Sequence, residues 1–218
     1  MNQDILQINS PLFDGIDYND RIAVLGCLGY HIRNYLKDEI VILEGDDLKH
    51  VGIVLSGAVN MVKEDFWGNR TTLLHLEKDD LFGETFACGD DSTAAVSFIV
   101  SQDARILFLS FPRVMRSCTM ACDFHHKLTE NMVRIIANKN RSLIHKVEVV
   151  SKRSIREKLL AYLSLHAQSQ QSRYFEIPLG RMELAEYLCV DRSALTRELV
   201  KMKADGLIDY DKNWFRIL

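Results

Sequence analysis

The chain has 218 residues, of which 47% are apolar and 26% charged, with only three prolines; that composition excludes a disordered tail and suits one large domain or two modest ones with a buried core. No run approaches the roughly 18 consecutive apolar residues that a membrane helix needs, and the amino end MNQDILQINSPLF has no basic stretch leading into an apolar one, so neither a membrane helix nor a secretory leader is expected and a cytoplasmic location is. The formal charge of −3 hides an asymmetry: from residue 147 onward there are 12 Lys and Arg against 10 Asp and Glu, and before it 15 against 20, which leaves the carboxy-terminal part as the one suited to approach phosphates.

The first thirty residues read as one or two short helices. From His31 to Phe111 short apolar or alternating runs, EIVILEG, HVGIVLSGAVNMVKED, GNRTTLLHLE and STAAVSFIVSQDARILFLSF, are broken by glycine and acidic turns, the pattern of an all-β sandwich or barrel. After Pro112 the period changes. Over 120–150 there is no proline or glycine, and Phe124, Leu128, Met132, Ile135, Ile136, Leu143, Val147 and Val150 recur at helical spacing, which predicts one helix of roughly thirty residues. A helix of that length with an apolar seam usually pairs with another helix; the chain offers no second one, so the expected partner is a second copy, with Phe124, Leu128, Met132, Ile135, Ile136 and Leu143 as the dimer interface, the alternative being a helix that lies on its own sandwich.

A further helix spans the SIREKLLAYLSLHAQ segment. The remainder, FEIPLGRMELAEYLCVDRSALTRELVKMKADGLIDYDKNWFRIL, reads as a short strand, two helices joined by a three-residue turn, and a hairpin with Asp211, Lys212 and Asn213 at its tip. That order is a winged helix-turn-helix. In the first of the two helices Met182, Leu184, Ala185 and Leu188 are expected to face inward. Asp191 suits the cap of the second, because its carboxylate accepts unpaired N–H groups of the first turn. Leu195, Leu199 and Met202 then form the buried stripe and turn Arg192, Ser193, Thr196, Arg197 and Lys201 outward. A recognition helix reads bases with its first turns, and bidentate arginine to guanine is the commonest specific contact. Arg192 and Arg197 suit that role, Ser193 and Thr196 can meet a base edge, a phosphate or a thymine methyl, and Arg181 and Lys201 are expected on phosphates. Double-stranded DNA is the expected partner.

Five cysteines, Cys27, Cys88, Cys118, Cys122 and Cys189, are odd in number and spread along the chain, which argues for reduced thiols over a disulfide framework. Cys118 and Cys122 lie one helical turn apart but lack a third and fourth ligand, and the neighbours His125 and His126 point about 100° apart on a helix and cannot chelate one ion. His75 on the TTLLHLE strand can face the sandwich interior as a haem ligand, the alternative being a histidine that is simply packed or exposed. No catalytic or metal-ligand set emerges: a cupin-like enzyme would need a histidine cluster, and His31, His50 and His75 are widely separated.

Taken in order, EGDDLKHVGIVLSGAV at 44–59, the GNR turn at Gly68, LFGETFACGDDSTAAV at 81–96, the long helix and RMELAEYLCVDRSALTREL resemble the Crp/Fnr family of bacterial regulators over nearly the whole chain. The resemblance implies an α+β architecture of three parts: a double-stranded β-helix (jelly-roll) effector-sensing domain over 1–119, a dimerisation helix over 120–150 and a winged helix-turn-helix over 151–218. It implies a homodimer on a two-fold symmetric operator with half-sites about one helical turn apart, and RNA polymerase as a further partner. It also places an effector site at Gly83, Glu84, Thr85, Ser92, Thr93, Lys139 and Asn140. Cyclic-nucleotide sensors of the family carry an arginine where Ser92 stands; without that guanidinium, and beside Asp90 and Asp91, a cyclic phosphate lacks its main partner. Cyclic AMP is therefore not the expected effector, no cofactor is expected, and an unidentified small molecule takes its place; redox or haem sensing through the cysteines or His75 is the alternative. The family's iron–sulfur sensors use several amino-terminal cysteines, and only Cys27 lies there. Many members have glutamate where Ser193 stands, so the operator is expected to differ at that base pair, whereas Arg197 matches.

Overall fold

The computed structural model describes residues 8–115 and 123–218; Cys118, Cys122 and the first residues expected in the long helix lie outside them. The chain divides into two compact units, Met1–Ala137 and Asn138–Leu218, each described by itself below.

The first unit opens with a 3-10 turn, Pro11–Phe13, and helix α1, Tyr18–Leu28, which ends on Gly29. Six antiparallel strands follow: β1 (Tyr30–Tyr35), β2 (Ile40–Ile42), β3 (His50–Glu64), β4 (Arg70–Leu76), β5 (Leu81–Phe82) and β6 (Ser97–Ser110), with the short helices α2 (Glu84–Ala87) and α3 (Phe111–Met115). Their order is β1-β6-β3-β4, with β2 on β6 and β5 on β3. The long β3–β6 pair sets the core, because its register alternates side chains between two faces. Val51, Ile53, Leu55, Leu107 and Leu109 pack with α1 and the 3-10 turn, whereas Val54, Val59, Ile106 and Phe108 close with Phe82 and Phe98 into the roll interior. Gly52 is where that interior requires no side chain: a Cβ there would lie 2.3 Å from the ring of Phe82.

Helix α4, Asp123–Val150, is 28 residues long. It carries two apolar stripes rather than one. Leu128, Met132 and Ile135 are buried in the first unit's own core and Phe124 packs against it, while the buried Asn131 amide donates to the carbonyls of Leu12 and Asp14 at 3.0 and 2.8 Å. This corrects the expected seam: these four side chains lie against their own roll and are not available to a second copy. Among the six residues expected at the interface, only Ile136 and Leu143 are exposed, and with them stand Val133, Ile144 and Val147. Val133, Ile136, Asn140, Leu143 and Val147 follow one another in steps of three and four, the seam spacing of a coiled coil.

The second unit continues with α5 (Ile155–Ser169), β7 (Tyr174–Glu176), α6 (Arg181–Tyr187), α7 (Arg192–Ala204), β8 (Ile208–Asp211) and β9 (Trp214–Ile217). A capping box starts α5: the Ser154 hydroxyl accepts from the Glu157 N–H and the Glu157 carboxylate accepts from the Ser154 N–H. The three strands pair in the order β7-β9-β8. Leu159, Leu163, Phe175, Leu184, Leu195, Leu199, Met202 and Phe215 form one core under them. The architecture is the expected one: an antiparallel roll, a long helix and a carboxy-terminal winged helix-turn-helix.

Candidate nucleic-acid interface

The turn between α6 and α7 is built by backbone bonds. Cys189 takes a left-handed conformation at φ 53°, its N–H donates to the Glu186 carbonyl, and the Val190 N–H donates to the Ala185 carbonyl at 3.0 Å. Ala185, 2% exposed, is the small residue that lets α7 cross closely. Asp191 caps α7: its Oδ1 accepts from the Ala194 N–H at 2.9 Å and from the Ser193 hydroxyl. These bonds, the hydroxyl first, hold the Asp191 carboxyl below its usual range.

With Leu195, Leu199 and Met202 buried, the opposite face of α7 presents Arg192, Ser193, Thr196, Arg197 and Lys201 to solvent. The two hydroxyls on that face are already engaged, Ser193 on Asp191 and Thr196 on the Arg192 carbonyl at 2.9 Å. Thr196 thereby offers its methyl. Among the described residues the side chains of Arg192, Arg197 and Lys201 form no ion pair, which leaves three cations on the outer face of one capped helix. Arg156, in the first turn of α5, holds α7 from behind, pairing with Glu198 at 2.6 Å and Asp205 at 2.7 Å. Lys158 adds a bond to the Leu188 carbonyl at 2.9 Å. Neither was singled out from sequence; the only local signal was a run of basic residues ahead of α5.

Two placements differ from expectation. Arg181 is not an outward phosphate ligand: its guanidinium lies over the rings of Tyr210 and Phe215 at 5.2 and 5.1 Å and donates to the Lys212 carbonyl. Burial pulls its pKa down, and it ties α6 to the wing hairpin. Met182 is 53% exposed rather than inward, because α6 is two turns long and Arg181 fills the inward position beside Leu184 and Ala185.

The expected effector residues fall into both units. Gly83, at φ 83°, turns the chain from β5 into α2, where a Cβ would also crowd Leu48. Glu84 is 2% exposed, and the exposed Thr85 hydroxyl points to its carboxylate at 3.4 Å. The Ser92 hydroxyl donates to Asp47, which also pairs with Lys49 at 3.0 Å, and the Thr93 N–H donates to Asp91. Carboxylates thus surround the place where the family's cyclic-nucleotide sensors carry arginine. Lys139 and Asn140 belong to the second unit. His75 departs from the haem reading: it is exposed on β4, bonded to Asn60 at 2.6 Å and facing Glu77, so it does not enter the roll. Cys27, Cys88 and Cys189 are exposed thiols, and no three His, Cys, Asp or Glu side chains gather as a metal site among the described residues.

Residues 32–118 match the family model of the cyclic nucleotide-binding domain and residues 157–218 that of the Crp-like helix-turn-helix domain, in that order and together over more than half the chain. The chain belongs to the Crp/Fnr family of transcription regulators. As such it is a DNA-binding regulator with a cyclic-nucleotide-binding-like sensor domain. The transcriptional activator protein FnrL of Cereibacter sphaeroides is 22% identical over 199 residues, covering 87% of this chain and 77% of the relative. Among solved structures, the catabolite activator protein of Thermus thermophilus is similar with a TM-score of 0.52 and 21% identity over 96% of this chain and 94% of that one. The c-di-GMP responsive global regulator CLP of Xanthomonas campestris is similar with a TM-score of 0.59 and 16% identity over 90% and 98%. At such identities these structures speak for the Crp/Fnr fold alone. No described helix is long and apolar enough to cross a membrane.

Proposed function

We propose that this Crp/Fnr regulator acts in the cytoplasm as a homodimer that lays α7 of each copy into the major groove of a two-fold symmetric operator, under control of a small molecule sensed by the roll. The observation that carries the reading is the outer face of α7, where a capped, clamped helix shows Arg192, Arg197 and Lys201 without ion-pair partners among the described residues. Arg192 and Arg197 read bases, the Thr196 methyl meets a thymine methyl, and Lys201 neutralises a phosphate. Dimerisation uses the exposed stripe of α4. Val133 and Val147 with Asn140 between them occupy one seam position, and Ile136 and Leu143 the other; β-branched valines in the first class opposite Leu143 in the second suit two parallel strands at that end of the seam, and one buried asparagine fixes register. Half-sites then lie about 34–36 Å apart, one turn of duplex.

The effector is not a cyclic nucleotide bound in the family manner, because Ser92 replaces the arginine and Asp47 and Asp91 stand beside it. The bound effector is coupled to the DNA-binding unit by differential affinity for two states, typically worth about 1–3 kcal/mol. RNA polymerase is the further partner through which a regulator of this kind acts. Fluorescence anisotropy of labelled duplex tests the core of the reading: binding of random duplex should fall steeply with salt, and a selected operator should bind more tightly than random duplex at one salt concentration. Equal affinity for both would defeat the sequence-reading role of α7.

A further inference from the structure

We infer that the mouth of the roll is a binding site for a small planar anion, seated on an aromatic floor of His31 and Phe108 beside Lys49 and His50, with its charge toward Arg33. The inference rests on reading the roll as the sensing unit, and the cleft borders, without containing, the residues that the family's cyclic-nucleotide sensors use, since its lining residue Asp47 is bonded to Ser92. A cleft of about 410 Å³, lined by these five residues and Tyr35 among others, has the volume of a small-molecule site, and barrel mouths are a preferred place for one.

The floor is already stacked. His31 pairs with Phe108 across β1 and β6, and their rings lie 5.1 Å apart at 17°, with Tyr35 edge-on to Phe108 at 6.5 Å and His50 edge-on to His31 at 5.4 Å. Flat faces met by ring edges suit an aromatic or heteroaromatic ligand. The charge follows from which groups are engaged. Of the two carboxylates in the cleft, Asp46 accepts from the Leu43 N–H at 2.8 Å and Asp47 binds the Ser92 hydroxyl and Lys49. Arg33 pairs with no carboxylate among the described residues. The His31 imidazole is held below its ordinary pKa by burial first, then by His50 and Arg33. A ligand anion facing Arg33 offsets that cation beside His31 and favours the charged imidazole. Binding therefore takes up a proton at His31, and affinity falls as pH rises through the pKa of the liganded state.

The site also reaches the interior. Phe108 is 7% exposed, and its ring meets Phe82 at 6.5 Å on the inner side, while Phe82 lies 5.0 Å from Phe98. Phe82 is followed directly by Gly83 and the buried Glu84, so a displacement of Phe108 is felt at the start of α2 through packed rings.

The test is titration of the full-length protein, without DNA, with benzoate and with its neutral analogue benzamide. It is followed by the NMR signals of the histidine ring protons, assigned with His31→Gln and His50→Gln. Benzoate should shift both rings saturably, with affinity at least about tenfold weaker at pH 8 than at pH 6. Benzamide should produce no saturable shift, and Arg33→Gln, an exposed strand position whose folding is checked by the unchanged remaining signals, should lose the response. Equal binding of benzamide, an undiminished response in Arg33→Gln, or no saturable shift with benzoate at either pH would overturn the site. Operator affinity of the same samples separates the two readings: specific DNA binding without benzoate binding removes the cleft and leaves the regulator, and benzoate binding without specific DNA binding does the reverse.

Discussion

Arg156 Nε donates to Glu198 Oε1 at 2.6 Å, across 42 positions of sequence. The bond joins the first turn of α5 to the middle of α7, and the second arm of the same guanidinium reaches Asp205 just past its end. A planar fork bridging two carboxylates fixes a direction as well as a distance, so the tilt of the reading helix is set by the helix that leaves the α4 junction.

Replacing that fork tests whether it positions α7. In Arg156→Met the helix should still form, because its cap and buried stripe are untouched, and the melting temperature should fall modestly, since the pair is part-buried and Glu198, 19% exposed, loses a partner. Operator binding should weaken while random-duplex binding is nearly unchanged, apart from the one charge removed. Arg156→Lys, which keeps the charge and not the fork, should recover only part of the specificity. A uniform loss on all sequences would make Arg156 a phosphate ligand instead.

The outer face of α7 separates reading from anchoring. Arg197→Ala should cost about 1–3 kcal/mol on the operator and relax preference at one base pair in each half-site. Lys201→Ala should weaken all sequences alike and reduce the slope of log affinity against log salt by about one. Anisotropy titrations at several salt concentrations on the operator and its single-base variants measure both.

The proposed dimer uses the outer stripe of α4 and not the inner one. Val133→Asp with Leu143→Asp should give a folded monomer by sedimentation, with operator binding greatly weakened. Met132→Asp should instead unfold the first unit, since its side chain is 0% exposed and packed in a hydrophobic cluster. Asn140→Val should tighten association and loosen the choice of register or copy number. A dimer that persists in the double variant would place the interface elsewhere.

The two stripes show where sequence reasoning stops. Leu128 and Met132 on one side, and Val133 and Leu143 on the other, obey the same helical spacing, so periodicity finds the helix without saying which stripe meets the roll. For α7 the ambiguity is absent: Asp191, the three-residue turn and Leu195, Leu199 and Met202 leave one outward face, and the structure keeps it. His75 failed for the reason Met132 did, since strand alternation gives two faces and not their identity. Arg156 and Glu198 lie too far apart for any local pattern to join them. Arg181 was misplaced because a guanidinium that stacks on Tyr210 and Phe215 looks, in sequence, the same as one turned to phosphate.

The cap of α7 gives a pH dependence with a definite sign. Hydrogen bonds from Ser193 and Ala194 hold the folded Asp191 carboxyl below its ordinary 3.8. A depressed carboxyl stabilises the fold fully above its unfolded value, and the contribution is lost as pH falls through the folded value. Thermal melts should therefore show no effect of this group between about pH 5 and pH 8, and a loss below about pH 4 that Asp191→Asn, a cap that does not titrate, lacks. An identical acid limb in wild type and Asp191→Asn would remove the carboxylate from the account.

The most direct test of a dimer reading DNA through paired α7 helices is selection of bound duplexes from a randomised pool, sequenced for wild type and Arg197→Ala. The account predicts an inverted repeat with half-sites about ten base pairs apart centre to centre, and loss of preference at one symmetric position in each half for the variant. A direct repeat, a lone half-site, or a consensus unchanged by Arg197→Ala would contradict it.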